Sequence, residues 1–182
     1  VSEYFIKLIR STIRNEIPSE KPEDIEWRDV LNFAAYHKVD EMVFGAVEKL
    51  RNKPDQMILD KMYAQHEKNQ LVNTIQLAEA EMILNEITAK GIDILPLKGY
   101  VLKSLYPDSN YRQMGDLDYL LEEENLSKAG QILQELGYTA DDVGLEDSHD
   151  VYTKKPYLEV ELHRRLLPPT EENHWYTDNI WE

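Results

Sequence analysis

The sequence contains no cysteine, which excludes disulfide bonds and thiolate metal sites. It has no apolar run of about 18 residues and no signal-like start, so we expect a cytoplasmic protein that does not contact membranes. Basic residues are few, with 20 Lys and Arg against 35 Asp and Glu, for a formal net charge of −15. Proteins bind nucleic-acid backbones mainly by neutralising phosphates with Lys and Arg. The charge balance therefore argues against nucleic acid as the principal ligand and favours a small molecule or another protein.

Two carboxylates, Asp116 and Asp118, stand one residue apart at the start of an apolar run. In a strand they would point to one face, while Leu117, Tyr119 and Leu121 would point into a core. Like charges this close destabilise each other unless a cation lies between them, and hard divalent cations prefer oxygen ligands. The pair predicts a magnesium site. An isolated Asp-x-Asp is more often a turn cap beside a solvated carboxylate, so the prediction depends on the neighbouring motifs.

The segment from Gly91 to Tyr106 predicts a short strand, a tight turn at Lys98-Gly99 and the start of a helix. A helix start offers unpaired backbone N–H groups, and a glycine lets a phosphate approach closely. Lys98 would add a positive charge there. For this segment alone, the alternative is a solvated lysine beside a glycine needed only for the turn.

Downstream, residues 149–163 predict two strands joined at Lys155-Pro156. In the second strand three apolar side chains alternate with three polar ones: Leu158, Val160 and Leu162 with Glu159, Glu161 and His163. A third carboxylate, Glu161 or its same-face rival Glu159, is therefore available on a strand. The alternative is the polar outer face of an antiparallel sheet, which needs no chemistry.

In this order, the motifs resemble the DNA polymerase beta-like nucleotidyltransferase superfamily, and within it a bacterial family of uncharacterised nucleotidyltransferases. The motifs that carry the resemblance are Leu97-Lys98-Gly99, Tyr106-Pro107, Arg112 with Asp116 and Asp118, and Glu161-Leu162-His163. They lie within residues 91–166. Most of the superfamily has Gly-Ser or Gly-Gly at the phosphate turn, where this chain has Lys98-Gly99.

The resemblance implies the minimal nucleotidyltransferase fold, an α/β (α+β) arrangement with a small mixed sheet flanked by helices and, here, an N-terminal helical subdomain. It implies transfer of a nucleoside monophosphate from a nucleoside triphosphate such as ATP, with Mg²⁺ or Mn²⁺, to a hydroxyl acceptor on a small molecule or protein. The implied site residues are Asp116, Asp118 and Glu161 as catalytic metal ligands, Lys98, Gly99 and Arg112 as phosphate-binding residues, and Glu159 and His163 as accessory candidates.

Two other functions fit the same motifs. The chain could be a catalytically inactive nucleotide-binding or protein-interaction module that keeps the fold. It could also be a toxin-like nucleotidyltransferase of a two-component stress system, which uses a related fold to modify RNA or protein. The net charge of −15 weighs against an RNA acceptor.

Apolar spacing predicts helices over residues 2–15, 27–37 and 40–50, and a long one between residues 54 and 90. We expect the long helix to pack on the sheet through a seam of Leu71, Ile75, Ala78 and Met82 rather than form a coiled coil. The predicted core elements are a strand at 92–95, a helix at 100–105, a strand at 117–121, a helix at 126–136 with Asn125 as its N-cap and Gly137 at its end, and the hairpin.

The expected organisation is a helical accessory region at 1–66, a nucleotidyltransferase core at 67–166, and the start of a truncated C-terminal region at 167–182. The chain begins with Val1 rather than methionine, and its last residues include two tryptophans with little left to pack against. We therefore expect both ends to be cut, part of the acceptor recognition to lie outside this chain, and the fragment alone to be weakly active or inactive.

Overall fold

The computed structural model describes residues 1–144, 149–166 and 181, and the chain has two compact units. One unit comprises Val1–Thr74 with Leu102–Gln113, and the other comprises Ile75–Val101 with Met114–Glu182. Within the described ranges, no helix is both long and apolar enough to cross a bilayer. The predicted C-terminal region at 167–182 lies outside the described residues apart from Trp181.

Four helices precede the sheet: α1 (Ser2–Ile13), α2 (Trp27–Tyr36), α3 (Asp40–Val47) and α4 (Gln56–Ala89). All four were predicted, with ends that differ by no more than three residues. In the first unit they enclose an apolar cluster that includes Leu8, Val30 and Val43, none of which has exposed surface. Polar groups in this unit are paired as well: the His66 ring stacks on Phe44 at 4.2 Å between centroids, and its Nδ1 lies 2.6 Å from the Glu41 carboxylate.

The predicted apolar seam on α4 was wrong at two of its four positions. Leu71 and Ala78 are exposed, whereas Ile75 is partly buried and packs against the core of the second unit. Between residues 73 and 87 the buried positions, at steps of three and four, are Asn73, Gln76, Ala80, Ile83 and Ile87. Two of them are polar, and each has a hydrogen-bond partner: Asn73 Nδ2 donates to Asn110 Oδ1, and Gln76 Nε2 donates to the Met114 carbonyl. A search for apolar residues alone misses such a face, because a paired polar side chain can be buried at little cost.

The second unit contains a five-stranded mixed sheet in the order β1-β2-β5-β4-β3. The strands are β1 (Ile94–Pro96), β2 (Leu117–Leu121), β3 (Thr139–Asp142), β4 (His149–Lys154) and β5 (Leu158–His163). Only the β2–β5 pair is parallel among the described pairs. Helix α5 (Lys98–Lys103) follows β1, and helix α6 (Leu126–Glu135) follows β2. The predicted α/β class, with a small mixed sheet flanked by helices and an N-terminal helical region, is confirmed.

Several local predictions differ from the structure. Strand β1 runs two residues later than predicted and includes Pro96, which an edge strand tolerates because one side of its backbone has no ladder partner. Strand β3 was not predicted, since this edge strand is mostly exposed and has no apolar alternation. Asn125 precedes α6 as predicted, but its side chain donates to Glu122 instead of capping the helix. Gly137 ends α6 with φ +90°, as predicted.

One face of the sheet forms the core of the second unit. Leu117, Tyr119 and Leu121 of β2 are fully buried and belong to one apolar cluster with Val160 and Leu162 of β5, as their alternation predicted. From α4, the cluster also contains Ala80, Ile83 and Ile87, so the expectation that the long helix packs on the sheet is confirmed. Because side chains alternate along a strand, the residues between them are directed to the opposite face.

Gly130→Ala is expected to destabilise the protein by about 1–3 kcal/mol, although alanine in a helix ordinarily gains about 1 kcal/mol over glycine. A Cβ at Gly130 would lie 2.1 Å from Tyr152 Oη and 2.9 Å from Cζ, and the buried ring has little room to move. Urea unfolding measures the change. Adding Tyr152→Phe removes the nearest atom and should recover part of the loss, whereas an unchanged urea midpoint in Gly130→Ala alone would contradict the packing.

Lys103, in the first unit, should make the stability of the protein depend on pH. It is 3% exposed, and its Nζ donates to Asn73 Oδ1 and the Ser109 carbonyl. Burial lowers the pKa of Lys103 to about 8, and the charge of Arg112 adds to this effect. Between about pH 8 and the ordinary lysine value of about 10.4, the unfolded chain binds more protons, so this group makes stability rise with pH. Thermal unfolding at pH 7 and 9.5 should show wild type gaining relative to Lys103→Met. An equal change in both proteins would contradict a lowered pKa.

Candidate active site

The three predicted acidic residues lie together. Strands β2 and β5 are parallel, with Asp118 and Glu161 as direct partners, so both carboxylates lie on the face opposite the core. Asp116 lies two residues before Asp118, just ahead of β2. One carboxylate oxygen from each residue lies within 4.8 Å of those of the other two. We call Asp116, Asp118 and Glu161 the acidic trio.

Two groups that can carry positive charge contact the trio. Lys98 Nζ donates to Asp118 Oδ1 at 2.5 Å and lies 3.7 Å from Glu161 Oε2. His163 Nε2 lies 2.9 Å from the same Asp118 oxygen and 3.1 Å from Glu161 Oε2. The side chain of Asp118 is 1% exposed, whereas that of Lys98 is 54% exposed. A buried carboxylate is thus neutralised by a lysine that also reaches solvent.

The environment drives the pKa values of two trio members apart. Burial alone would raise the pKa of Asp118, but hydrogen bonds with His163 and Lys98 outweigh it and lower that pKa. Burial raises the pKa of Glu161, and the Asp118 and Asp116 carboxylates add to the rise. Asp118 is therefore the firmly ionised group, and Glu161 is the group that takes up a proton more readily. Such divergence between neighbouring carboxylates is typical of sites that divide metal-binding and proton-transfer roles.

The turn between β1 and α5 holds Lys98 against Asp118. The Leu97 N–H donates to the Asp118 carbonyl at 2.9 Å, which joins the backbones of the two segments. Lys98 itself has φ +40°, a left-handed conformation that costs energy for a residue with a side chain. The segment therefore positions the ammonium at some conformational cost. Strain of this kind is enriched at functional sites.

Gly99 has a packing role in the structure. It is buried, and an added Cβ would lie 2.8 Å from Cγ of Met114. The close approach of a methionine side chain therefore explains the glycine. Its predicted contact with phosphate stays a prediction.

Two other predicted residues are not part of the trio. Glu159 is exposed and lies opposite Thr153 of β4, and neither group of potential metal ligands in the described part of the chain includes it. Arg112 belongs to the first compact unit, where its Nη1 donates to the Gln113 carbonyl at 3.0 Å. Its contact with a triphosphate stays a prediction. Between the two rival glutamates, the geometry favours Glu161 as the third ligand.

Sequence reasoning missed His149. This residue begins β4 directly opposite His163, and the two rings lie 5.1 Å apart. His149, Glu161 and His163 form a second group whose potential ligand atoms all lie within 4.8 Å of one another. The signal was present in the hairpin, because a turn centred on Pro156 that pairs Lys154 with Leu158 also pairs His149 with His163.

The donors of the acidic trio fit a hard divalent cation. All three supply carboxylate oxygen, which Mg²⁺ and Mn²⁺ accept, and two of the three side chains retain access to solvent. The family model described as an uncharacterised nucleotidyltransferase matches residues 23–182. The chain belongs to this family.

In the same comparisons, no curated protein and no solved structure matches the chain. The matched range contains the acidic trio, Lys98 and His163. Membership of a nucleotidyltransferase family supports a transferase role with a nucleoside triphosphate as donor. The family named by the sequence motifs is thereby confirmed, while the superfamily and the bacterial origin stay predictions.

Proposed function

We propose that this nucleotidyltransferase moves a nucleoside monophosphate from a nucleoside triphosphate to a hydroxyl acceptor with the help of a divalent metal. The observation that carries the proposal is the acidic trio, whose oxygens lie within 4.8 Å of one another beside the Lys98 ammonium. Family membership supplies the reaction class, and the trio supplies a donor set for the metal.

Asp116, Asp118 and Glu161 would hold Mg²⁺ or Mn²⁺. When bound, the metal would clamp the triphosphate and stabilise charge on the attacking and leaving oxygens. In the proposed reaction the acceptor oxygen forms a bond to the α-phosphorus, the bond from that phosphorus to pyrophosphate breaks, and the acceptor proton passes to Glu161. Glu161 suits this role by position, because its carboxylate lies in the trio and Glu161 is the direct partner of Asp118 across β2 and β5.

Lys98 would offset the negative charge of the donor phosphates with its ammonium group. Its side chain is half exposed while its Nζ contacts Asp118, so the ammonium can face an incoming phosphate without leaving the site. His163 would hold the two carboxylates in place, because its Nε2 contacts both an Asp118 oxygen and a Glu161 oxygen. For the acceptor, the net charge of −15 favours a small molecule or protein over RNA.

Label transfer tests the proposal. The chain is incubated with α-³²P nucleoside triphosphates, Mg²⁺ and a cell extract, and the expected result is label on an acceptor, release of pyrophosphate, and loss of both with EDTA or Asp116→Asn. Nucleotide binding without transfer, by this chain and also by a longer chain of the same protein, would favour the inactive module. Label removed by ribonuclease would favour the toxin-like alternative, and no nucleotide binding at all would overturn the proposed site.

A further inference from the structure

Two histidines lie beside Glu161 on the polar face of two neighbouring strands. His149 on β4 is the direct partner of His163 on β5, and Glu161 precedes His163 by two residues on the same face. One potential ligand atom from each residue lies within 4.8 Å of those from the other two. This set differs from the acidic trio in kind, because two of its three donors are imidazole nitrogens.

The donor chemistry separates the two sets. Carboxylate oxygens alone suit Mg²⁺, whereas imidazole nitrogens suit Zn²⁺ and similar transition metals. Two histidines and one glutamate, with a fourth position left to water or substrate, form a known class of zinc site. His163 Nε2 lies 3.1 Å from Glu161 Oε2. Two ligands bound about 2.0–2.1 Å from a tetrahedral zinc ion would be about 3.3 Å apart, so two of the three donors already have a suitable spacing.

We propose that His149, Glu161 and His163 bind a transition-metal ion, represented by Zn²⁺. The ion would bind at His163 Nε2, the atom that now contacts both Asp118 and Glu161. His149 and Glu161 are half-buried and His163 is 8% exposed, so none of the three is fully enclosed. The competing explanation is that both histidines serve only as hydrogen-bond partners of the carboxylates.

Metal titration without nucleotide tests this site separately from the proposed function. Zn²⁺ is titrated calorimetrically into the metal-free chain, and Co²⁺ is used as a spectroscopic substitute. We expect one Zn²⁺ per chain and visible Co²⁺ bands of a four-coordinate site with nitrogen ligands. Loss of an outer-shell partner of a metal ligand costs about 10–100-fold in affinity, so His149→Gln, which removes a direct ligand, should weaken Zn²⁺ binding by about 100-fold or more.

Two control variants locate the ion. His37→Gln removes an exposed histidine outside the group, and Asp116→Asn removes a carboxylate of the trio only, so both should bind Zn²⁺ like wild type. Glu161→Gln should lose Zn²⁺ binding, as His149→Gln does. Unchanged Zn²⁺ affinity in a folded His149→Gln would overturn the site, as would a Co²⁺ spectrum without four-coordinate bands. A large loss in Asp116→Asn with little loss in His149→Gln would place the ion in the acidic trio and also overturn it. Circular dichroism confirms that each variant is folded.

Discussion

Glu161→Gln is expected to reduce nucleotidyl transfer by about 100-fold or more, since removing one group that stabilises transition-state charge typically costs about 100–1,000-fold. The amide keeps the shape of the side chain but can neither take the acceptor proton nor contribute a negative ligand. Nucleotide affinity should fall only modestly, because the ion that Glu161 would serve acts mainly on the attacking oxygen rather than on the bound triphosphate. The loss should therefore appear in kcat more than in KM.

The fold of this variant should survive. The pKa of Glu161 is raised by burial and by its acidic neighbours, so folding of the metal-free protein works against its ionisation. A raised pKa contributes stability below the unfolded value and loses it as pH rises through the folded value. A neutral glutamine removes that cost, and the thermal midpoint at pH 7 should stay level or increase.

Glu159→Gln is the matched control. Glu159 lies on the same strand two residues earlier but is exposed and outside the trio, so transfer should stay within about threefold of wild type, as for a surface substitution. Steady-state rates of pyrophosphate release compare the two variants. A severe loss of transfer in Glu159→Gln, with only a mild loss in Glu161→Gln, would show that Glu159 is the third metal ligand instead of Glu161.

Asp118→Asn is expected to destabilise the metal-free protein by about 1.5–3 kcal/mol, the range for hydrogen bonds to a charged group. Asp118 is buried, and its carboxylate accepts from Lys98 and contacts His163. Its lowered pKa means that this contribution is present above the ordinary aspartate value of about 3.9 and is lost as pH falls through the folded value. Wild type and variant should therefore converge in stability only in acid.

Asp116→Asn is the control for this second prediction. Asp116 shows no hydrogen bond to Lys98 or His163 among the described contacts, and its substitution reduces repulsion within the trio, so stability should be unchanged or slightly higher. Urea unfolding at pH 7 and at several pH values below the ordinary aspartate value of about 3.9, in the presence of EDTA, measures both variants. Equal destabilisation by the two substitutions, or none by Asp118→Asn, would contradict the arrangement around Asp118.

The central part of the site could be predicted because it depends on local patterns. Asp118 lies near the start of a short apolar strand and Glu161 lies in a strand whose apolar alternation is clear, and strand alternation decides which face a side chain occupies. The direct pairing of these two residues also required the parallel β2–β5 register, which the sequence does not encode locally. The family resemblance supplied that link.

The missed features depend on pairing at a distance. The buried face of α4 includes Asn73 and Gln76, whose burial makes sense only once their hydrogen-bond partners near residues 110 and 114 are known. The edge strand β3 has no apolar alternation to reveal it. His149 could have been found from the sequence, since the hairpin turn at Pro156 determines which residue stands opposite His163.

The most direct test of the account is a calorimetric titration of each nucleoside triphosphate, with and without Mg²⁺, into wild type and Asp116→Asn. Asp116→Asn is the best variant for this purpose because it is expected to leave the fold unchanged while removing one oxygen ligand of the acidic trio. If the acidic trio is the metal site, wild type will bind at least one triphosphate only when Mg²⁺ is present, and Asp116→Asn will lose this binding. Triphosphate binding that needs no metal, or that is equally strong in Asp116→Asn, would contradict the account.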